Sequence, residues 1–115
     1  MSALEACRGD LWSVNLDPTL GREQSGTRPA LVLSVDKFNH GPADLIVVLP
    51  ITSKNKQQPL HVEVTPPEGG LKLASYIKCD DIRSISKQRL KRFHGAVSAK
   101  TMAEVEKRVR ILLDL

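Results

Sequence analysis

Two short polar clusters stand beside apolar segments and could together bind a phosphate. Residues 21–29 read GREQSGTRP and lead directly into the apolar run ALVLS. Gly21 and Gly26 permit backbone conformations that other residues avoid, and Pro29 fixes the chain where the apolar run begins. Arg28 therefore lies beside a conformationally restricted residue. In such a position a guanidinium is suited to bind phosphate oxygens through paired hydrogen bonds.

The second cluster follows the apolar segment LIVVLPI, after which Thr52, Ser53 and Lys54 offer two hydroxyls and an ammonium. If the two apolar segments are neighbouring antiparallel strands, the start of one lies beside the end of the other. We therefore expect Arg28 and Thr52 to meet over one phosphate group. The alternatives are a charge that guards a sheet edge for Arg28 and an ordinary turn hydroxyl for Thr52.

The hydrophobic pattern predicts a mainly β protein. Alternating or continuous apolar residues indicate seven short strands, at residues 11–16, 30–35, 45–51, 60–64, 75–79, 82–86 and 92–97. The second and third are apolar throughout, which is typical of strands buried on both faces. Pro50 indicates that the third strand ends at an edge or a bulge, and residues 36–44 indicate a turn or one helical turn. So many short strands favour a compact barrel or sandwich.

The carboxy-terminal segment has a helical pattern instead. We expect a helix capped by Ser98, or by Thr101 and Glu104 as a capping box, that packs across an open end of the barrel. Apolar residues recur there at intervals of three and four: Met102, Val105, Val109 and Leu112.

Length and composition bound the class of protein. A chain of 115 residues predicts a single domain, 1–115. It contains no apolar run of the roughly 20 residues that span a bilayer, and its amino terminus has no apolar signal segment, so we expect a cytoplasmic protein without membrane contact. Cys7 and Cys79 lie far apart with no CxxC, which predicts two reduced thiols and no metal site.

The charge distribution favours a polyanionic partner. The formal net charge is +4, and no acidic residue occurs between Ile82 and Ala103. Such a segment attracts phosphate polymers or acidic proteins, although a solvated surface is the alternative. The aromatic fraction of 3% disfavours binding by base stacking. Six cations lie in that segment: Arg83, Lys87, Arg89, Lys91, Arg92 and Lys100.

The three histidines give no sign of an acid–base pair. His40 falls in a turn, His61 in an alternating strand and His94 in the basic segment, and nothing in their spacing brings two together. We expect ordinary surface or packed histidines rather than catalytic ones.

Several motifs together resemble the MazF/PemK family of toxin ribonucleases from bacterial toxin–antitoxin modules. These are RGDLWSVNLDPTLGREQSGTRPALVLS, VVLPITS and KCDDIRSISKQRL, and the resemblance runs from about Arg8 to the final helix. It implies a small SH3-like barrel that forms a homodimer and is inhibited by an acidic, MazE-like antitoxin. It also implies cleavage of single-stranded RNA without cofactor, metal or ribosome, by attack of a ribose 2′-hydroxyl that leaves a 2′,3′-cyclic phosphate and a 5′-hydroxyl.

The resemblance also implies site residues. Arg28 and Thr52 match the family positions most closely tied to cleavage, and Glu23 matches one that matters in some members. Some members carry an arginine, cysteine, aspartate run with acid–base roles, which is Lys78, Cys79 and Asp80 in this chain. The RNA-binding residues we expect are Arg22, Gln24, Ser53, Lys54, Lys56, Lys78 and Arg83.

Physical chemistry limits the roles of these residues. Arginine has a pKa above about 12, so Arg28 is suited to stabilise charge on the phosphate rather than to accept a proton. Relatives with a histidine shuttle carry it where this chain has Arg22, so the base for the 2′-hydroxyl stays open. Two other functions also stay open: a gyrase-poisoning toxin of the same fold and an RNA-binding module without turnover.

Overall fold

The computed structural model describes residues 5–18, 20–21 and 26–115, which form seven antiparallel strands and two α-helices. Two 3₁₀ turns, Glu68–Gly70 and Lys87–Arg89, complete the secondary structure of the described residues. The strands are β1 (Asp10–Asn15), β2 (Thr27–Val32), β3 (Leu45–Thr52), β4 (His61–Val64), β5 (Ser75–Lys78), β6 (Arg83–Ser86) and β7 (Leu90–Ala96), and the helices are α1 (Asp36–Asn39) and α2 (Ala99–Leu113).

The strands form one sheet in the order β4-β5-β3-β2-β1-β7, and β6 also pairs with β3. All of these pairs are antiparallel. Within the described ranges no pairing joins β4 to β7, so the sheet is not a closed barrel. The predicted mainly β class, with a small-barrel-like sheet and a carboxy-terminal helix, is confirmed.

The two central strands are buried on both faces, as predicted. Alternate residues of β2 enter different hydrophobic clusters, because successive side chains of a strand point to opposite faces. Ala30 and Val32 join a cluster that contains Trp12 and Val48, whereas Leu31 joins a second cluster. That second cluster contains Leu11, Leu49, Ile51, Val62, Val64, Ile77, Cys79 and Val105.

β2 begins earlier than the hydrophobic pattern predicts. The apolar run starts at Ala30, but the strand starts at Thr27, because Thr27 and Arg28 pair with Asn15 and Val14 of β1. Exposed polar residues at the end of a ladder leave no hydrophobic signal. Arg28 is therefore part of the strand itself.

Pro50 does not mark a strand edge, which corrects the prediction. Around Pro50, β3 has β2 on one side and other strands on the opposite side. On that opposite side β3 pairs with β6 up to Val48 and with β5 from Ile51 onward. Pro50 lies in the interval between these partners, where its missing N–H costs no ladder hydrogen bond on that side.

The start of α2 anchors the 3₁₀ turn Glu68–Gly70. Ser98 caps the helix, since its Oγ accepts from the backbone N–H of Thr101 at 3.1 Å. The Glu68 carboxylate accepts from the Thr101 hydroxyl at 2.6 Å and from the Ser98 N–H at 3.0 Å. The alternative capping box is not formed, because the Glu104 carboxylate instead accepts from Arg108 at 2.8 Å. The turn and the helix are thus held together.

Both cysteines are free thiols, as predicted; Cys79 is buried and Cys7 only partly so. Burial raises the pKa of the Cys79 thiol to about 12, which keeps it protonated and unreactive. In the part of the chain that the structure describes, no helix is long and apolar enough to cross a membrane.

Candidate active site

Strand pairing brings the two polar clusters together. β2 and β3 are antiparallel neighbours, with Ala30 opposite Pro50. Arg28 and Thr52 each lie two residues beyond this last pair, at the same end of the two strands. Both residues line one cavity of about 380 Å³.

The cavity is strongly cationic. Its described lining residues include Arg28, Lys72 and Arg92, and no carboxylate is among them. Hydroxyl groups of Thr52, Ser53 and Ser75 also line it. Cations and hydroxyl groups on one surface suit an anion such as phosphate. The remaining lining includes the apolar side chains of Pro29, Ile51, Leu71 and Leu73.

Thr52 is held in an orientation that leaves its hydroxyl proton available. The residue is 6% exposed, and its Oγ1 accepts from the backbone N–H of Lys54 at 3.2 Å. A hydroxyl that accepts one hydrogen bond can still donate its own proton. Thr52 can therefore donate to an anion in the cavity.

Glycines bring the wall of the cavity close to β7. A Cβ on Gly70 would lie 2.1 Å from the carbonyl oxygen of His94, and a Cβ on Gly95 would lie 2.8 Å from the carbonyl carbon of Gly69. Gly69 and Gly70 also have φ values of 68° and 73°, which favour glycine. This backbone-to-backbone contact carries residues 70–73, including Lys72, over the strand.

His94 lines the same cavity as Arg28 and Thr52. Its Nε2 lies 2.5 Å from the Ser13 hydroxyl oxygen, on β1. Partial burial, followed by the charges of Arg92 and Lys72, lowers the pKa of the His94 imidazole below its usual 6.5. The ring is therefore neutral near pH 7.

Other charged residues form a separate ion-pair cluster. The Asp81 carboxylate accepts from Arg83 at 3.0 and 3.1 Å and lies 3.6 Å from Lys78 Nζ. Asp80 Oδ1 lies 3.1 Å from His61 Nε2. The cluster of Lys78, Asp80, Asp81, Arg83 and His61 lies outside the described lining of the cavity.

The sequence also matches known proteins. Residues 7–113 match the family described as PemK-like, MazF-like toxin of type II toxin-antitoxin system. The chain belongs to this family. It is 37% identical to the endoribonuclease MazF9 of Mycobacterium tuberculosis over 113 residues, which cover 94% of this chain and 96% of that protein.

Solved structures agree with the family assignment. The crystal structure of MazF from Deinococcus radiodurans superposes with a TM-score of 0.88 at 30% identity, and the match covers 98% of this chain and 100% of that chain. The MazE–MazF complex from the same organism matches with a TM-score of 0.79 at 27% identity, over 98% of this chain and 99% of that chain.

Those residues expected from the MazF/PemK resemblance that the structure describes fall into three groups. Arg28, Thr52 and Ser53 line the cavity. Lys54 and Lys56 are exposed in the loop that follows β3. Arg22, Glu23 and Gln24 lie outside the described residues, so their roles stay predictions.

The third group, Lys78, Asp80 and Arg83, belongs to the ion-pair cluster. Lys78 is 6% exposed, which leaves little of its side chain for a ligand. The Arg83 guanidinium also donates to the carbonyl of Leu16 at 3.4 Å. The acid–base role predicted for Asp80 and the RNA contacts predicted for Lys78 and Arg83 stay predictions, without support from the cavity.

The six cations between Ile82 and Ala103 do not form one continuous surface for RNA. Lys87 donates to the Gly41 carbonyl at 3.3 Å, and Arg89 donates to the carbonyls of Asn15 and Asp17. These side chains fasten loops, including the start of the loop that leads to Gly26. Arg92 alone, of the six cations in that segment, lines the cavity.

Sequence reasoning missed two cavity residues, Lys72 and His94. Lys72 follows a Gly-Gly pair, which signals a turn but not what the turn covers. A third feature it missed lies elsewhere: ligand atoms of Cys7, Asp36 and His40 lie within 4.8 Å of one another. His40 Nε2 lies 2.9 Å from the Ala6 carbonyl, and Asp36 accepts from the Arg8 N–H at 2.7 Å, so backbone contacts account for their positions.

Proposed function

We propose that this chain is a toxin endoribonuclease that cleaves single-stranded RNA at a short sequence by attack of a ribose 2′-hydroxyl on the adjacent phosphate. The products are a 2′,3′-cyclic phosphate and a 5′-hydroxyl, and neither metal nor ribosome is required. The observation that carries the proposal is the cavity that unites Arg28 and Thr52 with Lys72 and Arg92. Its cationic lining suits a phosphodiester, and relatives such as MazF9 are named endoribonucleases.

Arg28 and Thr52 stabilise the transition state in this mechanism. The pentacoordinate phosphate carries more charge on its non-bridging oxygens than the substrate does. Arg28 binds those oxygens as a cation, and the Thr52 hydroxyl donates a further hydrogen bond. By analogy with an oxyanion hole, each donor contributes about 2.7 to 4 kcal/mol of barrier reduction.

Glu23 remains a proposed catalytic residue and Asp80 a proposed acid–base residue, on the strength of the resemblance alone. For RNA binding, Ser53 within the cavity and Lys54 and Lys56 beside it are well placed. Arg22 and Gln24 are proposed RNA contacts from the same resemblance. Arg92 and Lys72 add two cations to the lining of the cavity.

The proposed partners are a second copy of this chain and an acidic antitoxin in the cytoplasm. Large apolar side chains are exposed at the end of α2, where Ile111 is 66% and Leu115 is 80% exposed. A homodimer or an antitoxin would cover such a surface. The solved MazE–MazF complex at 27% identity supports the antitoxin. The gyrase-poisoning alternative is not favoured, because the named relatives are endoribonucleases.

The test is cleavage of a long labelled single-stranded RNA by the purified chain in excess EDTA. We expect defined fragments with 5′-hydroxyl ends and 2′,3′-cyclic phosphate ends. Thr52→Val keeps the shape of the side chain and removes the donor, and Lys107→Ala removes an exposed cation of α2 as a control. No cleavage by the wild-type chain, or cleavage abolished by the chelator, would contradict the proposed mechanism.

A further inference from the structure

His94 occupies a β-bulge at the edge of the cavity. In the pairing of β1 with β7, Leu11 lies opposite Gly95 and Trp12 lies opposite Phe93. No residue of β1 is left to pair with His94, so His94 is the additional residue on the bulged strand. Bulges redirect a side chain relative to a regular strand, and they are common beside active sites.

One contact holds the imidazole of His94, and a second holds the backbone that carries it. Ser13, which contacts Nε2 at 2.5 Å, lies in register between Pro29 of β2 and Arg92 of β7, and both of these residues line the cavity. Above the strand, Gly70 lies directly on the His94 carbonyl. This row of Pro29, Ser13 and Arg92 therefore holds the histidine beside two residues that line the cavity.

The second ring nitrogen, Nδ1, is available to a ligand. Among the described residues it makes no hydrogen bond, and it is not a buried atom. With its proton on Nε2, the ring donates to Ser13 Oγ and carries a lone pair on Nδ1. A neutral imidazole in this tautomer can accept a proton from a hydroxyl.

The charges that face His94 keep it neutral. Arg92 on its own strand and Lys72 on the covering loop are the charged groups that act on it, and Arg28 on β2 lines the same cavity. All three are cations, and none of the described lining residues is a carboxylate. Partial burial, followed by the charges of Arg92 and Lys72, lowers the pKa of the imidazole, which is the condition for a base that works at neutral pH.

We propose that His94 is the general base of the RNA cleavage, with Ser13 as its positioning residue. This inference rests on the proposed function. Nδ1 takes the proton of the 2′-hydroxyl as O2′ bonds to phosphorus and the bond from phosphorus to O5′ breaks. The leaving O5′ takes a proton from water, and the resulting hydroxide takes the proton from the imidazolium. Atoms and charge balance, and the enzyme is regenerated.

The roles are complementary. Arg28 and Thr52 stabilise the phosphate, and His94 removes the proton that neither of them can remove. Asp80, to which the resemblance gives an acid–base role, lies beside His61 outside the described lining of the cavity. The cavity thus contains a base as well as an anion site.

The test compares the pH dependence of kcat/KM for the wild-type chain and His94→Gln at one mapped cleavage site of a labelled RNA. The wild-type rate should rise about tenfold per pH unit and level off below pH 6.5, the ordinary pKa of histidine. His94→Gln should lose about 10²- to 10⁴-fold above pH 7 and show no such rise. His40→Gln, an exposed histidine substituted in the same way, is the matched control and should keep the wild-type profile.

Binding is measured with the same RNA carrying a 2′-deoxy nucleotide at the cleavage site. Because His94 is neutral, His94→Gln should bind this uncleavable RNA within about threefold of wild type. Ser13→Ala should lower the rate less than His94→Gln does and shift the inflection of the pH profile. A role in folding alone would lower the melting temperature without changing the profile.

The outcomes separate the two proposals. If the wild-type chain cleaves RNA and His94→Gln is equally active, the proposed role of His94 is wrong. The proposed endoribonuclease function is unaffected by that result. No cleavage by the wild-type chain overturns the proposed function itself. If His94→Gln does not fold, the wild-type profile decides, since a rate that shows no rise with pH anywhere below pH 6.5 overturns the base.

Discussion

The cavity and the ion-pair cluster contain the same types of residue but differ in charge balance and access. In the cavity, Arg28, Lys72 and Arg92 surround open space with no carboxylate among the described lining residues. In the cluster, Lys78 and Arg83 share the Asp81 carboxylate, and each of the three side chains is at most 15% exposed. A site for an anion requires cations that are both in excess and accessible, whereas balanced and covered cations stabilise the fold.

Arg28→Ala is the sharpest test of the functional side of this comparison. It should lower RNA cleavage by about 10²- to 10³-fold, because it removes one charged donor from the transition state. The residue is exposed, so the melting temperature should change little. Single-turnover cleavage and thermal unfolding of the same preparation measure both effects. Full activity in Arg28→Ala would remove the cavity from the mechanism.

Asp81→Ala tests whether the ion-pair cluster stabilises the fold. It leaves Lys78 buried without that carboxylate and takes the paired hydrogen bonds from Arg83. Loss of one partner from a largely buried ion pair should reduce the free energy of unfolding by about 3 kcal/mol. Urea denaturation measures the loss. Cleavage per folded molecule at low temperature should remain within about threefold of wild type, and a loss as large as that of Arg28→Ala would make the cluster part of the active site.

The sequence predicts the pairing of β2 with β3, which forms part of the cavity, better than it predicts the other residues that line the cavity. Continuous apolar runs identify β2 and β3 as central strands, and antiparallel pairing then brings Arg28 to Thr52. His94 was missed because a bulge depends on the register of two distant strands. Lys72 was missed because its position depends on the contact of Gly70 with β7.

The RNA contacts predicted for Lys78 and Arg83 illustrate a different limit. A cation in a sequence does not reveal whether a carboxylate two or three residues away will neutralise it. Lys78 and Arg83 both contact Asp81, whereas Arg92, in the same basic stretch as Arg83, lines the cavity. The direction of each side chain depends on the strand to which it belongs.

Gly70→Ala tests the cavity alone, because it disturbs the wall without changing any charge. A Cβ there would overlap the His94 carbonyl at 2.1 Å, and the φ of 73° disfavours alanine. We expect a loss of stability of about 2 kcal/mol and a lower cleavage rate, because the loop that carries Lys72 must move. Gly21→Ala is a control, because its φ of 60° is similar but none of the described residues lies within 4 Å of its Cβ. It should cost stability without that displacement of the wall.

Glu68→Gln has the smallest expected effect and shows whether the wall depends on the start of α2. Hydrogen bonds from Thr101 and Ser98 lower the pKa of the Glu68 carboxyl below its ordinary 4.5. A carboxyl with a lowered pKa in the folded state stabilises the fold above its unfolded pKa, and this contribution is lost as the pH falls through the folded pKa. Near pH 7, Glu68→Gln should therefore cost about 1 kcal/mol. The difference in melting temperature between the two proteins should be constant above about pH 5 and should shrink below pH 4.5. A difference that persists unchanged in acid would mean that the charge of Glu68 does not hold the turn to the helix.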